Sequence, residues 1–271
     1  MEEIRNKKLS LDEIKTIEIE ILNYITSICD KYNLRYYLAY GTLIGAIRHK
    51  GFIPWDDDID IVMPRRDYNA LLEILKKRRG TNIYDCLIPN ERDYFYEFAK
   101  VVDTTTEVKE LNIFLKSGGI WVDIFPLDGL KKDDKFTHFT LLFLNRCRSA
   151  SVNIKFPHKT KGIAVPFEYL FWKLCRCVGY KKFLKISLKM SNKYDYEDCE
   201  YIGYASSYPA HNKYLKKEWF RDFVYVDFGN NKYKAPIEYH EYLKSQYGDY
   251  MRIPPIEEQT THTIEAYRII D

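Results

Sequence analysis

Behind a capping signal near the start of the chain, apolar residues recur at helical spacing. Ser10-Leu-Asp-Glu13 has the Ser-x-x-Glu form in which two side chains satisfy each other's orphan amides. Ile14, Ile17, Ile21, Ile25 and Ile28 follow on one face, which predicts an amphipathic packing helix over 11–31. Arg35–Tyr40 reads as a short aromatic strand, and Thr42–His49 as a short helix with Gly41-Thr42 at its start. Asp58–Met63 reads as a strand with Ile59, Ile61 and Met63 on one face and Asp58, Asp60 and Val62 on the other. Arg65–Arg79 carries Tyr68, Leu71, Leu72 and Leu75 at helical spacing and stops at Gly80. Strands are expected at 84–88, 95–102 and 105–111. Gly118–Pro126 reads as a buried strand with one charge, Asp123, in its middle.

The character changes after Asp133. Helices are expected at 136–151, 166–178 and 181–194, with basic residues set between apolar ones. Phe220–Phe228 alternates as a strand, and Gly229-Asn-Asn turns the chain. Pro236 is expected to open a helix with Tyr239, Tyr242 and Leu243 inward. Tyr247–Pro255 reads as an extended segment crossing back over the core, and His262 as a solvent-exposed residue of the tail. The fold class is α+β: a small mixed sheet flanked by helices, with an additional basic helical segment. The expected division is a core over 1–130, a helical insertion over 131–213, and a segment over 214–271 that packs back on the core.

A chain of 271 residues suits one large domain or two small ones. The net charge of +3 hides an asymmetry: Lys131–Lys193 carries 15 Lys and Arg against 3 Asp and Glu, or +12, leaving −9 elsewhere. Such a segment suits an anionic partner, a polyphosphate substrate or a membrane surface, and equally a solvated face. None of the 6 cysteines forms C-x-x-C or metal-ligand spacing, so they read as small hydrophobes in a reducing compartment. The N-terminus shows no apolar signal region, and no apolar run approaches the about 20 residues that span a bilayer. The expectation is a cytoplasmic protein, at most peripheral to the inner face of the membrane.

The chemistry concentrates between Leu38 and Pro64. Asp56, Asp57, Asp58 and Asp60 mass carboxylates on apolar backbone, which is costly without a compensating cation. Asp58 and Asp60, two apart, share a strand face, and hard oxygen ligands suit Mg²⁺. Gly41-Thr42 at a helix start offers backbone amides as a phosphate seat. Asp123, a lone carboxylate in an apolar strand, completes the set.

The stretch Gly41-Thr-Leu-Ile-Gly-Ala-Ile-Arg-His-Lys-Gly-Phe-Ile-Pro-Trp-Asp-Asp-Asp-Ile-Asp60 resembles the signature of the LicD family, the bacterial phosphocholine transferases and fukutin-related enzymes. Val122-Asp-Ile-Phe-Pro-Leu-Asp128 and Tyr242–Pro255 are similar to its later carboxylate strand and C-terminal segment. The likeness covers about 35–128 and 214–262. Thr42 stands where that fold usually has Gly or Ser. The resemblance implies a nucleotidyltransferase-like fold and transfer of phosphocholine from CDP-choline to a hydroxyl of a cell-surface glycan, a teichoic acid or lipopolysaccharide precursor and in that case lipid-linked. In that chemistry Asp58, Asp60 and Asp123 hold Mg²⁺, with Asp123 alternatively the base for the attacking hydroxyl. Asp56 joins the metal set, or with Asp57 tunes it from behind. Gly41 and Thr42 seat a phosphate, and Arg48 and Lys100 stabilise the transferring group. A quaternary ammonium needs an aromatic cage, for which Trp55, Trp121, Tyr36 and Tyr40 are candidates. Two other readings stay open: glycerol- or ribitol-phosphate as cargo, and a non-catalytic protein that binds an anionic partner. No nucleic-acid-binding motif accompanies the basic segment.

Overall fold

A computed structural model describes residues 7–109, 118–153, 156, 165–205, 214–259 and 265–269. His262 and the end of the strand expected at 105–111 lie outside them. The chain runs β1 (Lys7–Lys8), α1 (Leu11–Lys31), β2 (Tyr37–Leu38), α2 (Tyr40–His49), β3 (Asp60–Pro64), α3 (Arg65–Lys77), β4 (Tyr84–Leu87), β5 (Ala99–Asp103) and β6 (Thr106–Lys109). It continues through β7 (Trp121–Leu130), α4 (Lys135–Val152), α5 (Val165–Val178), α6 (Tyr180–Ser191), β8 (Tyr201–Gly203), β9 (Leu215–Lys216), β10 (Phe223–Phe228), β11 (Asn231–Pro236), α7 (Tyr239–Tyr247) and β12 (Glu265–Arg268).

The capping box of α1 is formed in both directions: Glu13 N–H donates to the Ser10 hydroxyl (3.3 Å), and Ser10 N–H to Glu13 Oε2 (2.9 Å). The isoleucines behind it are buried, and α1 lies against β5 and β7. The central sheet is ordered β2-β3-β7-β5-β4. Its β3–β7 pair is parallel and the other pairs are antiparallel. β7 is 10 residues long and is apolar enough to be buried on both faces. Its last residues leave the central strands and pair with β8, which pairs with β9. β12 stands between β1 and β6 in a separate sheet. The mixed sheet with flanking helices is the α+β class expected.

Where α3 leaves β3, Arg65 meets the far end of β7. Its Nε and Nη2 donate to the two oxygens of Asp128 at 2.6 and 2.8 Å, and Asp128 is 1% exposed. The last carboxylate of the Val122–Asp128 stretch therefore fastens a helix to the sheet.

One hydrophobic cluster runs from Leu9 to Ala266 and takes in Phe220, Phe228, Tyr233, Tyr242, Leu243 and Tyr250 beside α1 and the central strands. Helices α4–α6 carry a smaller cluster, Cys147, Ala150 and Cys175, packed by Phe171, Trp172 and Phe183. The cysteines are free, and only Cys177 is exposed. No helix among the described residues is long and apolar enough to cross a membrane.

Several local expectations are corrected: the strand expected at 95–102 begins only at Ala99, and that expected at 35–40 is Tyr37–Leu38, with Tyr40 already in α2. Pro236 does not open a helix; it closes β11, opposite Phe223, because a proline at a strand end forgoes no ladder amide within the strand. The helix starts three residues later, at Tyr239. The carboxylate strand begins at Asp60 and not Asp58. The alternation nonetheless extends backwards: Asp58 and Asp60 are half-buried, and Asp57 and Ile59 between and before them are buried.

Candidate active site

Pairing across three strands sets the chemistry in one row. Asp60 on β3 lies opposite Asp123 on β7, and Lys100 on β5 lies opposite the same Asp123. Directly paired residues share a sheet face, so Asp60, Asp123 and Lys100 stand side by side. Lys100 Nζ is 3.3 Å from Asp123 Oδ1 and 3.7 Å from the centre of the Trp121 ring. Both charged groups are buried; the carboxylate and the ring face together offset the desolvation of the ammonium.

The start of α2 is fastened to the head of this row. Ala39 N–H donates to Asp60 O (3.1 Å) and Asp60 N–H donates to the Thr42 hydroxyl (2.8 Å). Thr42 thereby braces the carboxylate strand. No side chain caps α2, so the first amides of the helix, including those of Gly41 and Thr42, have no intrahelical acceptor. Tyr40 makes the bend into the helix at φ +46°, a conformation that costs a side-chain-bearing residue energy.

Gly41 faces Asp56. A Cβ at Gly41 would lie 2.5 Å from Asp56 Oδ2, so only a residue without a side chain lets that carboxylate stand over the helix start. Asp56 is half-buried and can swing aside. Gly41→Ala is therefore expected to keep the melting temperature within a few degrees while lowering turnover about tenfold or more by misplacing Asp56. Gly45→Ala is its control: there the Cβ would meet the Gly51 carbonyl at 2.4 Å, and backbone cannot swing. Thermal melts and initial rates on the two variants separate the effects.

The electrostatics of the site follow from crowding. Asp60 is pushed well above the usual carboxylate range by burial first, then by Asp58, Asp123 and Asp56, with Lys100 opposing. Glu18, 2% exposed on α1, moves the same way, through burial first and then Asp58, Asp57, Asp123 and Asp56. Its Oε2 has no hydrogen-bond partner among the described residues. The Tyr247 hydroxyl is raised by burial and then by Asp60, Asp56 and Asp58. Acids this close, one of them with an orphaned buried oxygen, fit a divalent cation by charge and by donor type. Among the described residues no three His, Cys, Asp or Glu side chains stand in a ready-made ligating arrangement. The fit is thus one of charge and donor chemistry, with Asp58, Asp60 and Asp123 the residues that would hold the ion.

An acid whose pKa rises on folding costs stability as pH climbs above its unfolded value, here near 4.5, because the folded state then holds protons the unfolded state has lost. Glu18→Gln is therefore expected to raise the melting temperature of the metal-free protein, with a gain that opens above pH 4.5 and widens with pH. Melts across pH with a chelator present check this; a loss at pH 8 would mean that a cationic group holds Glu18.

The remaining candidates are placed as follows. Arg48 lies at the far end of α2, where its Nη1 donates to Tyr250 O (2.7 Å) and Arg252 O (3.0 Å). It clasps the segment after α7. Trp55 sits beside it, 5.9 Å from the guanidinium, with its ring edge-on to His49 at 6.3 Å. Trp121 is the floor under Lys100. Tyr36 is buried beneath Lys234 at 5.0 Å, its hydroxyl pushed up by burial first and then by Asp30. The structure does not bring Trp55, Trp121 and Tyr36 together.

Tyr40 has other company. Its ring meets Phe125 edge-on at 5.4 Å, Phe98 stacks on Phe125 at 4.3 Å, and Tyr204 closes on Phe125 at 5.3 Å. All four rings are half-buried. Phe125 is two residues past Asp123 and Phe98 two before Lys100, so an aromatic face begins where the charged row ends. Sequence reasoning missed Phe98, Phe125, Tyr204, Glu18 and Tyr247. Period-two spacing from Asp123 and Lys100 points to the first two. A glutamate set among isoleucines points to Glu18, and the tyrosines of the 242–255 stretch point to Tyr247. Nothing local points to Tyr204.

Residues 33–171 match the LicD/FKTN/FKRP nucleotidyltransferase domain. Over 273 residues, 96% of this chain and 99% of its counterpart, the sequence is 32% identical to the lipopolysaccharide cholinephosphotransferase LicD of Haemophilus influenzae. A stretch of 80 residues, 30% of this chain and 15% of the relative, is 29% identical to the human ribitol 5-phosphate transferase FKRP. An uncharacterised protein of Rickettsia prowazekii is 36% identical over 120 residues, 44% of this chain and 41% of that one. The family match contains α2, the aspartate loop and every strand of the charged row, and the chain belongs to the LicD family and is a LicD-type transferase.

Proposed function

We propose that the enzyme transfers phosphocholine from CDP-choline to a hydroxyl of a cell-surface glycan, with Mg²⁺ held by Asp58, Asp60 and Asp123. The observation that carries this reading is the aromatic face of Tyr40, Phe98, Phe125 and Tyr204 beside the Asp60–Asp123–Lys100 row. Ring faces suit a quaternary ammonium, which offers no hydrogen bond, whereas a polyol would find among these four side chains only the Tyr40 and Tyr204 hydroxyls to pair with. The cation supplies charge compensation for the pyrophosphate and the leaving CMP. The amides of Gly41 and Thr42 seat a phosphate, and Lys100 lends positive charge to the transferring group while holding Asp123 in place. Asp123 either shares the cation or takes the acceptor's proton; an Asp123→Asn enzyme that binds Mg²⁺ normally but does not turn over assigns it the proton.

Near-full-length similarity to a lipopolysaccharide cholinephosphotransferase supports the cargo, and the acceptor in that relative's name supports lipopolysaccharide as the acceptor class. The shorter match to a ribitol 5-phosphate transferase favours the second reading, a polyol phosphate. CMP release is to be measured with CDP-choline, CDP-glycerol or CDP-ribitol and a purified glycan acceptor. Mg²⁺-dependent release with CDP-choline, and choline in the product, are expected; release with CDP-ribitol alone would replace the cargo.

A further inference from the structure

Helices α4 and α5 turn apolar stripes to solvent. Phe136 and Phe139 on α4 are 77% and 72% exposed, and Phe143 continues the line at 49%. Their spacing of three and four puts them on one side of the helix. On α5, Phe167 is 73% exposed, with Leu170, Leu174 and Val178 following at the same kind of interval and exposed as well. Cys175 is the buried residue of α5. The stripes adjoin where Phe143 and Phe171 approach to 6.3 Å. Soluble surfaces seldom gather so many large apolar side chains, and such a patch marks an interaction site.

Positive charge is laid between the rings. Arg146 lies 5.5 Å from the Phe171 ring, Lys173 5.5 Å from Tyr169, and Arg176 5.0 Å from Trp172. Lys182, Lys185 and Lys189 are exposed on the neighbouring α6. The whole 131–193 segment carries +12.

We infer that this face docks on an anionic lipid bilayer, with the phenylalanine and leucine stripes entering the headgroup boundary and the lysines and arginines on the phosphates. Exposed aromatics with basic residues beside them are the composition of interfacial helices. Charge complementarity selects the occupant. A second copy would set one basic face against another, and a purely acidic partner would leave the apolar stripes in water. Docking here also reaches the site. Arg148 of α4 is buried and donates to Phe95 O at 2.8 Å, with its Nε 3.5 Å from Glu97, so α4 is anchored to the segment that ends in Phe98 and Lys100. The inference stands on surface composition alone and does not depend on which group the enzyme transfers.

Flotation of the full chain with vesicles tests it. Binding is expected to vesicles of equal parts phosphatidylglycerol and phosphatidylcholine, weakly or not at all to phosphatidylcholine alone, and to fall as salt rises. Phe139→Ser with Leu174→Ser lowers vesicle affinity about tenfold or more. Lys182→Glu with Lys185→Glu does so as well. The four positions are exposed, so the melting temperature stays unchanged and reports intact folding. The inference is overturned if the apolar variants bind vesicles as well as the parent. It is equally overturned if the parent ignores anionic vesicles, whether or not it forms a dimer that the apolar variants dissolve.

Discussion

Asp60→Asn is expected to lower kcat/KM about 10²–10³-fold, the usual loss when one preorganised electrostatic contact at a transferring group is removed, and at the same time to make the metal-free protein more stable. The two effects have one cause. Asp60 stands opposite Asp123 on the adjoining strand, and burial together with Asp58, Asp123 and Asp56 already disfavours its charge. Neutralising it relieves repulsion in the metal-free protein and, on the function proposed above, removes one of the carboxylates that would hold Mg²⁺. Because the folded pKa is raised, the stability advantage of the variant is small near pH 3.8 and grows as pH rises. Steady-state rates and chelator-treated melts measure both. A variant that kept its activity, or one less stable at neutral pH, would remove Asp60 from the centre of the site.

The second large effect is structural. Asp128 closes the stretch that carries Asp123, and both its oxygens are taken by Arg65 at 2.6 and 2.8 Å while it is 1% exposed. Removing one partner leaves a buried charge alone. Asp128→Ala is expected to cost about 3–5 kcal/mol, a fall of roughly 10 °C in melting temperature, with the remaining folded fraction still active. Replacing both residues by apolar ones of similar size, Arg65→Met with Asp128→Leu, recovers most of the loss. Chemical denaturation of the singles and the double closes the cycle. A single variant of unchanged stability but no activity would reverse the assignment and make Asp128 part of the chemistry.

The sequence was legible where the signal was local. The box at Ser10 and Glu13 forms as read, and the isoleucine spacing marks the buried side of α1. The aspartate loop, the Gly-Thr helix start and the strand of Asp123 come from patterns only a few residues long. What local pattern cannot supply is register. Nothing in the chain before folding says that Lys100 falls opposite Asp123 and not one residue away, and a slip of one would turn Lys100 to the other face of the sheet. Glu18 was hidden for a related reason: on a helix read as packing, a polar residue counts as solvent-facing until the partner surface is known. The shortest strands, β1, β2, β8 and β9, owe their existence to neighbours far away in sequence, and two or three residues carry no alternation to read. Pro236 fits a helix start by propensity, but the pairing of β10 with β11 decided its role.

Calorimetric titration of CDP-choline into the protein, with Mg²⁺ and with chelator, for the parent and Asp60→Asn, tests the central claim most directly. The expected result is binding by the parent that needs the cation, that is tighter than for CDP-glycerol or CDP-ribitol, and that Asp60→Asn loses. Binding that survives both the chelator and the substitution would place the donor away from the charged row and contradict the account.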